Sequence, residues 1–262
     1  MIDEWELVVD GARKLVAFLQ QERIPDGNRL PSDVVLPPLA ALWAQAPEKP
    51  DQVGAVRTLL RSYMWRAFAT ARYEFAAATA SYQDYRAILP VAKNGGGATP
   101  PTDIFSLPLP GPDELRMAGW PKRRDRLARA ILATSFRGGA RDIADGAEIS
   151  ASNAEDQEYH HLFPVAYLKQ SGIDEAAASV ALNCALITWL TNRVISAKPP
   201  VEYLRDRTKA AALGEEQVRE RLASHGISYD DLAGCDFETF LSRRAEVVAD
   251  AFNVLARGGQ WP

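Results

Sequence analysis

The 262-residue chain reads as a mainly α-helical protein interrupted by one short extended segment in its second half. Three observations predict this. Apolar residues recur at helical spacing through the first ninety residues, and again from Pro199 to the C-terminus. Between these regions, residues 158–163 form a short extended run that Pro164 breaks.

Trp5, Leu7, Val8, Leu15, Val16, Phe18 and Leu19 mark a first helix, stopped by Pro25-Asp26-Gly27-Asn28. A second short helix covers 34–46 and is closed by Ala46-Pro47-Glu48-Lys49-Pro50. Asp51 is a plausible cap for a long run reaching about Leu89. That run carries Leu59, Leu60, Tyr63, Met64, Phe68, Tyr73, Phe75, Tyr82 and Tyr85, with arginines between them. It fits a buried helical hairpin with snorkelling arginines, or an aromatic platform on which nucleic-acid bases stack. Asn94-Gly95-Gly96-Gly97-Ala98-Thr99-Pro100-Pro101 can continue neither regular structure, and a second proline-rich stretch follows at 107–112. A loop or subdomain boundary is expected there, with 103–106 either pairing as a strand or crossing the surface.

Lys122-Arg123-Arg124-Asp125-Arg126-Leu127-Ala128-Arg129 opens a helix that ends near Phe136, before Gly138-Gly139. Its basic density is the highest in the chain. Such a run is a solvated helix face, or a phosphate contact if a site acting on phosphates lies nearby. Asp145-Gly146 looks like a tight turn before Ala147-Glu148-Ile149. After Pro164, helical spacing returns over 165–170, 175–181 and 189–195. In the tail, Phe237, Phe240, Leu241, Val247, Val248, Phe252, Val254 and Leu255 form one apolar face. Asp236 is placed to cap that helix and Gly258-Gly259 to end it.

The formal net charge of −4 argues against a strongly basic nucleic-acid coat but leaves room for a local basic patch. Cys184 and Cys235 are too few for a disulfide framework and read as two buried thiols. The first residues, Met1-Ile2-Asp3-Glu4-Trp5-Glu6, are acidic where a signal peptide is basic. The apolar stretch 176–190 is shorter than the ~20 residues of a membrane span and is interrupted by Asn183. A cytoplasmic protein is expected.

Of three histidines, His160 and His161 are neighbours. On a strand they point to opposite faces, so a common cleft requires the strand end to twist. Neutral imidazole is a metal ligand, and histidine titrates near working pH. Asn183 lies in the apolar run Ala181-Leu182-Asn183-Cys184-Ala185-Leu186-Ile187. Buried there, it must pin a loop or a neighbouring backbone, or cost ~1–3 kcal/mol. Asn192 follows nine residues later, early in a helix, with Arg193, Ser196 and Lys198 beyond it. A carboxamide oxygen is a legitimate ligand for a hard cation.

The order His160-His161-x-x-Pro164, Asn183, Asn192 resembles the motif of HNH nucleases, also called ββα-metal or His-Me finger nucleases. The spelling E-Y-H-H-L-F-P, A-L-N-C-A-L-I-T, T-N-R and S-A-K-P-P-x-E-Y-L is similar to the C-terminal nuclease domain of GmrSD-type and SspE-like modification-dependent restriction proteins of phage defence. The tight match covers about 142–204, with a looser one in the flanking helices. The resemblance implies a helical body carrying a small ββα-metal nuclease core. It divides the chain into a helical domain at 1–138 with a linker near 94–112, a nuclease core at 139–210, and C-terminal helices at 211–262.

It further implies a DNA endonuclease using one divalent ion, Mg²⁺ with Mn²⁺ or Ni²⁺ as substitutes. His160 and Asn192 would be ligands, His161 the general base and Asn183 the loop-fixing residue. Arg193, Lys198 and Arg141 are candidate phosphate contacts. Relatives of this type carry an N-terminal nucleotide-hydrolysing domain, and no P-loop occurs here. The chain is therefore the C-terminal part of a longer protein or a stand-alone nuclease. Two other readings stay open. One is a catalytically silent helical interaction module. The other is a metal-independent ribonuclease built on Arg219 or Arg221 with His225.

Overall fold

The structure is a computed structural model that describes residues 2–212 and 214–261. Among these it contains thirteen α-helices and a single two-stranded sheet, so the protein is mainly α. Two compact units emerge. The first comprises Met1–Glu22, Ser32–Pro110 and Ala251–Trp261, and the second Arg23–Pro31 and Gly111–Asp250. These units do not divide at 138 or 210. The helix ending at Phe136 and the helices after 213 share the second unit with residues 139–210. No helix among the described residues is long and apolar enough to cross a membrane.

The first unit is built from α1 (Ile2–Gln21), α2 (Leu36–Ala44), α3 (Pro50–Ala69) and α4 (Ala77–Lys93). Phe18 of α1 packs on Trp43 of α2 at 5.5 Å between ring centroids. Helix α3 begins at Pro50, whose missing N–H costs nothing in the first turn, and its cap is Lys49 rather than Asp51. Leu60, Tyr63, Met64, Trp65 and Phe68 are fully enclosed. The aromatic rings of α3 therefore belong to the core, while Phe75 and Tyr82 are exposed. Arg61 does not snorkel outward. It binds the buried carboxylate of Glu22 at 2.8 Å and the carbonyl of Gly258 at 3.0 Å.

The helical run read at 51–89 divides into two helices, as a hairpin requires. Helix α3 stops at Ala69, and Ala76 takes a left-handed conformation before α4. The cause is a polar network with no signature in local spacing. Arg72 grips the buried Asp84 at 3.0 and 2.8 Å, the Tyr73 hydroxyl donates to the same carboxylate at 2.8 Å, and Tyr63 bonds Tyr73 at 2.7 Å. Drawing Arg72 and Tyr73 onto α4 ends the first helix. Residues 103–106 hold a 3-10 turn, Asp103–Phe105, and not a strand.

The second unit carries α5 (Pro112–Arg116), α6 (Arg126–Phe136), β1 (Gln157–His161), α7 (Val165–Gln170), α8 (Glu175–Ala178), β2 (Cys184–Thr188) and α9 (Trp189–Ile195). Helices α10 (Pro200–Ala210), α11 (Gly214–Ala223), α12 (Tyr229–Gly234) and most of α13 (Phe237–Leu255) complete it. The basic run at 122–129 is split. Lys122 and Arg123 lie in a 3-10 turn, and Asp125 caps α6 by accepting from the Ala128 N–H at 2.8 Å.

Strands β1 and β2 pair antiparallel, from Gln157 opposite Thr188 to His161 opposite Cys184, and α9 follows β2 without a linker. Beneath the pair, Leu132, Phe136, Ala140, Ile149, Cys184 and Leu186 form one buried cluster, with Trp120 and Tyr159 packed against it. Arg244 of α13 is buried there too. It donates to the carbonyls of Leu182 at 2.6 Å and Cys184 at 3.2 Å, fixing the start of β2. Cys184 is buried as expected, its thiol pushed up to about 12 by burial, whereas Cys235 is only half-buried.

Candidate functional site

The two histidines end β1, and alternation along the strand gives them different surroundings. His160 is 4% exposed and faces α9. Its Nδ1 lies 2.9 Å from Asn192 Oδ1, and Asn192 Nδ2 donates to Glu158 Oε2 at 2.7 Å. Glu158 accepts that bond, which turns the amide nitrogen of Asn192 toward it and the oxygen toward the imidazole. His160 Nδ1 therefore carries the proton, and Nε2 keeps a buried lone pair without a partner. Burial pushes the His160 pKa down to about 4 against the opposing bond to Asn192, so the ring is neutral at pH 7.

Glu158 was not among the sequence candidates. It stands two residues before His160, on the same face of the strand, and that alternation was the available signal.

His161 occupies another environment. Its ring stacks on Trp120 with centroids 4.0 Å apart and planes 10° off parallel, and Nε2 lies 3.2 Å from Ser179 Oγ. Burial pushes its pKa down to about 4 as well, with the charge of Glu175 pulling the other way. It is a neutral, half-buried proton acceptor at physiological pH.

Asn183 is fully buried and makes three hydrogen bonds. Its Oδ1 accepts from the Phe163 N–H at 2.8 Å, and its Nδ2 donates to the carbonyls of Phe163 at 3.1 Å and Ala178 at 3.0 Å. It touches neither histidine. It clamps the backbone two residues after His161 to the backbone one residue before Ser179. Tyr203 supports the same stretch by donating to the Leu162 carbonyl at 2.9 Å.

The expected phosphate contacts divide. Arg193 is exposed, with its guanidinium 4.8 Å over the Trp189 ring. Arg141 is exposed, and its backbone bonds Ser224 Oγ and His225 Nε2. Lys198 is engaged instead with Asp206 at 2.5 Å. The basic turn at 122–124 is exposed and begins two residues after Trp120, the partner of His161.

Two further groups brace the site. Asp142 is fully buried, and its carboxylate receives the N–H groups of Ala144 at 2.8 Å, Asp145 at 3.1 Å and Thr188 at 2.6 Å, plus the Thr191 hydroxyl at 2.7 Å. It ties the 142–147 turn to the start of α9. From the other side Arg221 donates to the carbonyls of Ile143 and Ala144, and His225, 2% exposed, donates to that of Arg141. The Arg221 and His225 side chains are thus interior braces of this turn. Arg219 is taken up by Glu215 and Asp230.

Among the described residues no group of three or more His, Cys, Asp or Glu side chains is placed to hold a metal ion. His160 Nδ1 and Asn192 Oδ1 stand 2.9 Å apart, joined by the Nδ1–H hydrogen bond, so an ion could take the pair as adjacent ligands only in place of that proton.

No protein-family model, curated protein or solved structure matches the chain.

Proposed function

We propose that the second unit is an HNH-type ββα-metal nuclease, a divalent-metal-dependent endonuclease acting on DNA phosphodiesters in a restriction or anti-phage setting. A nucleotide-hydrolysing partner domain belongs to the same proposal. The observation that carries it is the contact between His160 and Asn192. It joins the end of β1 to the helix directly after β2, with Asn183 clamping the loop between.

His160 and Asn192 would hold one divalent ion, Mg²⁺ or in its place Mn²⁺ or Ni²⁺. When bound, the ion supplies Lewis-acid stabilisation of charge on phosphate oxygens. Glu158 orients the Asn192 oxygen and sets a negative charge beside two neutral donors, which favours a cation there.

His161 is the general base. With Nε2–H donated to Ser179 Oγ, Nδ1 keeps its lone pair and takes the proton of the attacking water. Neutrality at pH 7 is what that role requires. Trp120 fixes the plane of the ring, and Asn183 holds the two loops that present His161 and Ser179. The turn at 122–124, with Arg141 and Arg193, supplies positive charge for the phosphate backbone. Lys198 has no place in that set while it is paired with Asp206.

The test is incubation of supercoiled plasmid with the protein and Mg²⁺ or Mn²⁺, wild type against His161→Ala. Loss of a general base removes about 10²–10⁴-fold in rate. Equal cleavage by the variant, or cleavage undiminished in chelator, would overturn the reading.

A further inference from the structure

A cavity of about 380 Å³ lies in the first unit, lined by α3, the 96–100 loop and the turn that follows α13. Gly96 lines it, and Gly258 follows Arg257 of its wall. Gly96, at φ +78°, lies so close to α3 that a Cβ would stand 2.8 Å from the Val56 nitrogen. Gly258, at φ +79°, lies against Thr58, where a Cβ would stand 2.3 Å from the carbonyl oxygen. Glycine alone accommodates both the backbone angle and the approach.

These contacts leave two arginines, Arg66 of α3 and Arg257, on the wall of one cavity that no carboxylate lines. Arg66 donates from Nε and Nη1 to the carbonyls of Ala256, Ile104 and Leu107 at 3.2, 3.2 and 3.1 Å, and Nη2 has no partner. Arg257 is exposed, with no ion pair or side-chain hydrogen bond among the described residues. Burial, and then the charge of Arg257, hold the Arg66 guanidinium below its ordinary value. Two like charges thus share one wall with no carboxylate among the described lining residues. Gly97, Ala98 and Thr99 line the same space, and their backbone N–H groups make no hydrogen bond among the described residues.

We propose that this cavity binds a small phosphate monoester, its phosphate held between Arg66 and Arg257 and by the N–H groups of residues 97–99. Guanidinium forks match phosphate oxygens in geometry as well as charge. Successive backbone N–H groups form a concave anion site. Leu59, Pro100 and Phe105 supply an apolar wall for an organic body, and the volume suits a small ligand rather than a polymer.

The test is calorimetric titration of the full chain with inorganic phosphate, with adenosine monophosphate and with a 5′-phosphorylated oligonucleotide. Chloride holds ionic strength constant. One saturable site is expected, tighter for the nucleotide than for inorganic phosphate. Arg257→Glu, an exposed change, weakens both by at least about tenfold, which is ~1.4 kcal/mol. Arg66→Lys keeps the charge but loses the fork, and weakens both severalfold. Absence of saturable binding up to about 10 mM, or unchanged affinity in Arg257→Glu, overturns the proposal. Tighter Arg257-dependent binding of the oligonucleotide than of the mononucleotide overturns the small-molecule assignment.

Discussion

Asp142 and His160 are both buried, both polar and both bonded to α9, yet they are finished to different degrees. The Asp142 carboxylate receives four hydrogen bonds, two from its own turn and two from the start of α9. Burial pushes its carboxyl up, and those bonds outweigh the burial, so it is held below the ordinary carboxylate range. His160 has one side-chain partner and a buried nitrogen with none. A fully satisfied buried group is what a scaffold uses, because each lone pair left open costs free energy. A group held by one side-chain partner at a comparable depth is tied less firmly, and its one contact can be exchanged. The contrast separates what holds the site from what the site does.

The largest effect should come from breaking the finished group. Asp142→Ala strands the N–H of Thr188, the Thr191 hydroxyl and two turn N–H groups, and should destabilise the protein by about 3–5 kcal/mol. Urea unfolding followed by circular dichroism measures this. A loss below about 1 kcal/mol would remove Asp142 from the scaffold.

How much of this could be read from the sequence depends on whether partners lie nearby along the chain. The extended run at 158–163 and the turn at Asp145-Gly146 are local patterns, and both lie where spacing puts them, as β1 and as the bonded turn 142–147. Asn183 was legible because an amide in an apolar run must find partners, and it has three. Asp142 was not singled out, since its Thr188 and Thr191 partners are 46 and 49 residues away. Trp120 lies forty-one positions before His161 and no local pattern joins them. The run at 51–89 was legible as a helical hairpin, but the place where it breaks was not, for the same reason. Only the fold brings Arg72 and Tyr73 onto Asp84 and ends α3 early.

An acid titration tests a second finished contact at smaller cost. His225 donates from Nε2 to the Arg141 carbonyl, and burial pushes its pKa down to about 4. The folded protein therefore resists a proton that the unfolded chain accepts near 6.5. Stability from this group is complete above about 6.5 and is lost as pH falls toward about 4, by roughly 2 kcal/mol between pH 7 and 4.5. His225→Gln keeps a donor for the carbonyl and cannot titrate. The variant should show a shallower loss of stability over that interval, by about this amount. An unchanged acid limb would mean that His225 is not held neutral in the fold.

The smallest stability effect should come from the unfinished group, and it is the sharpest test of the contrast. Asn192 is half-buried and bonds only His160 and Glu158 through its side chain. Asn192→Ala strands the single Nδ1–H donor of the buried His160 and should cost about 1 kcal/mol, the low end for one such group. It should nonetheless abolish the response to metal, seen as loss of the Mn²⁺-induced rise in melting temperature that the wild type is expected to show. Scaffold and site then come apart: Asp142→Ala strongly destabilises the fold, whereas Asn192→Ala weakens it least and leaves it indifferent to the ion. If Asn192→Ala instead destabilises as much as Asp142→Ala, the His160–Asn192–Glu158 chain is part of the scaffold. The contact between His160 and Asn192 would then be structural and not a place for an ion.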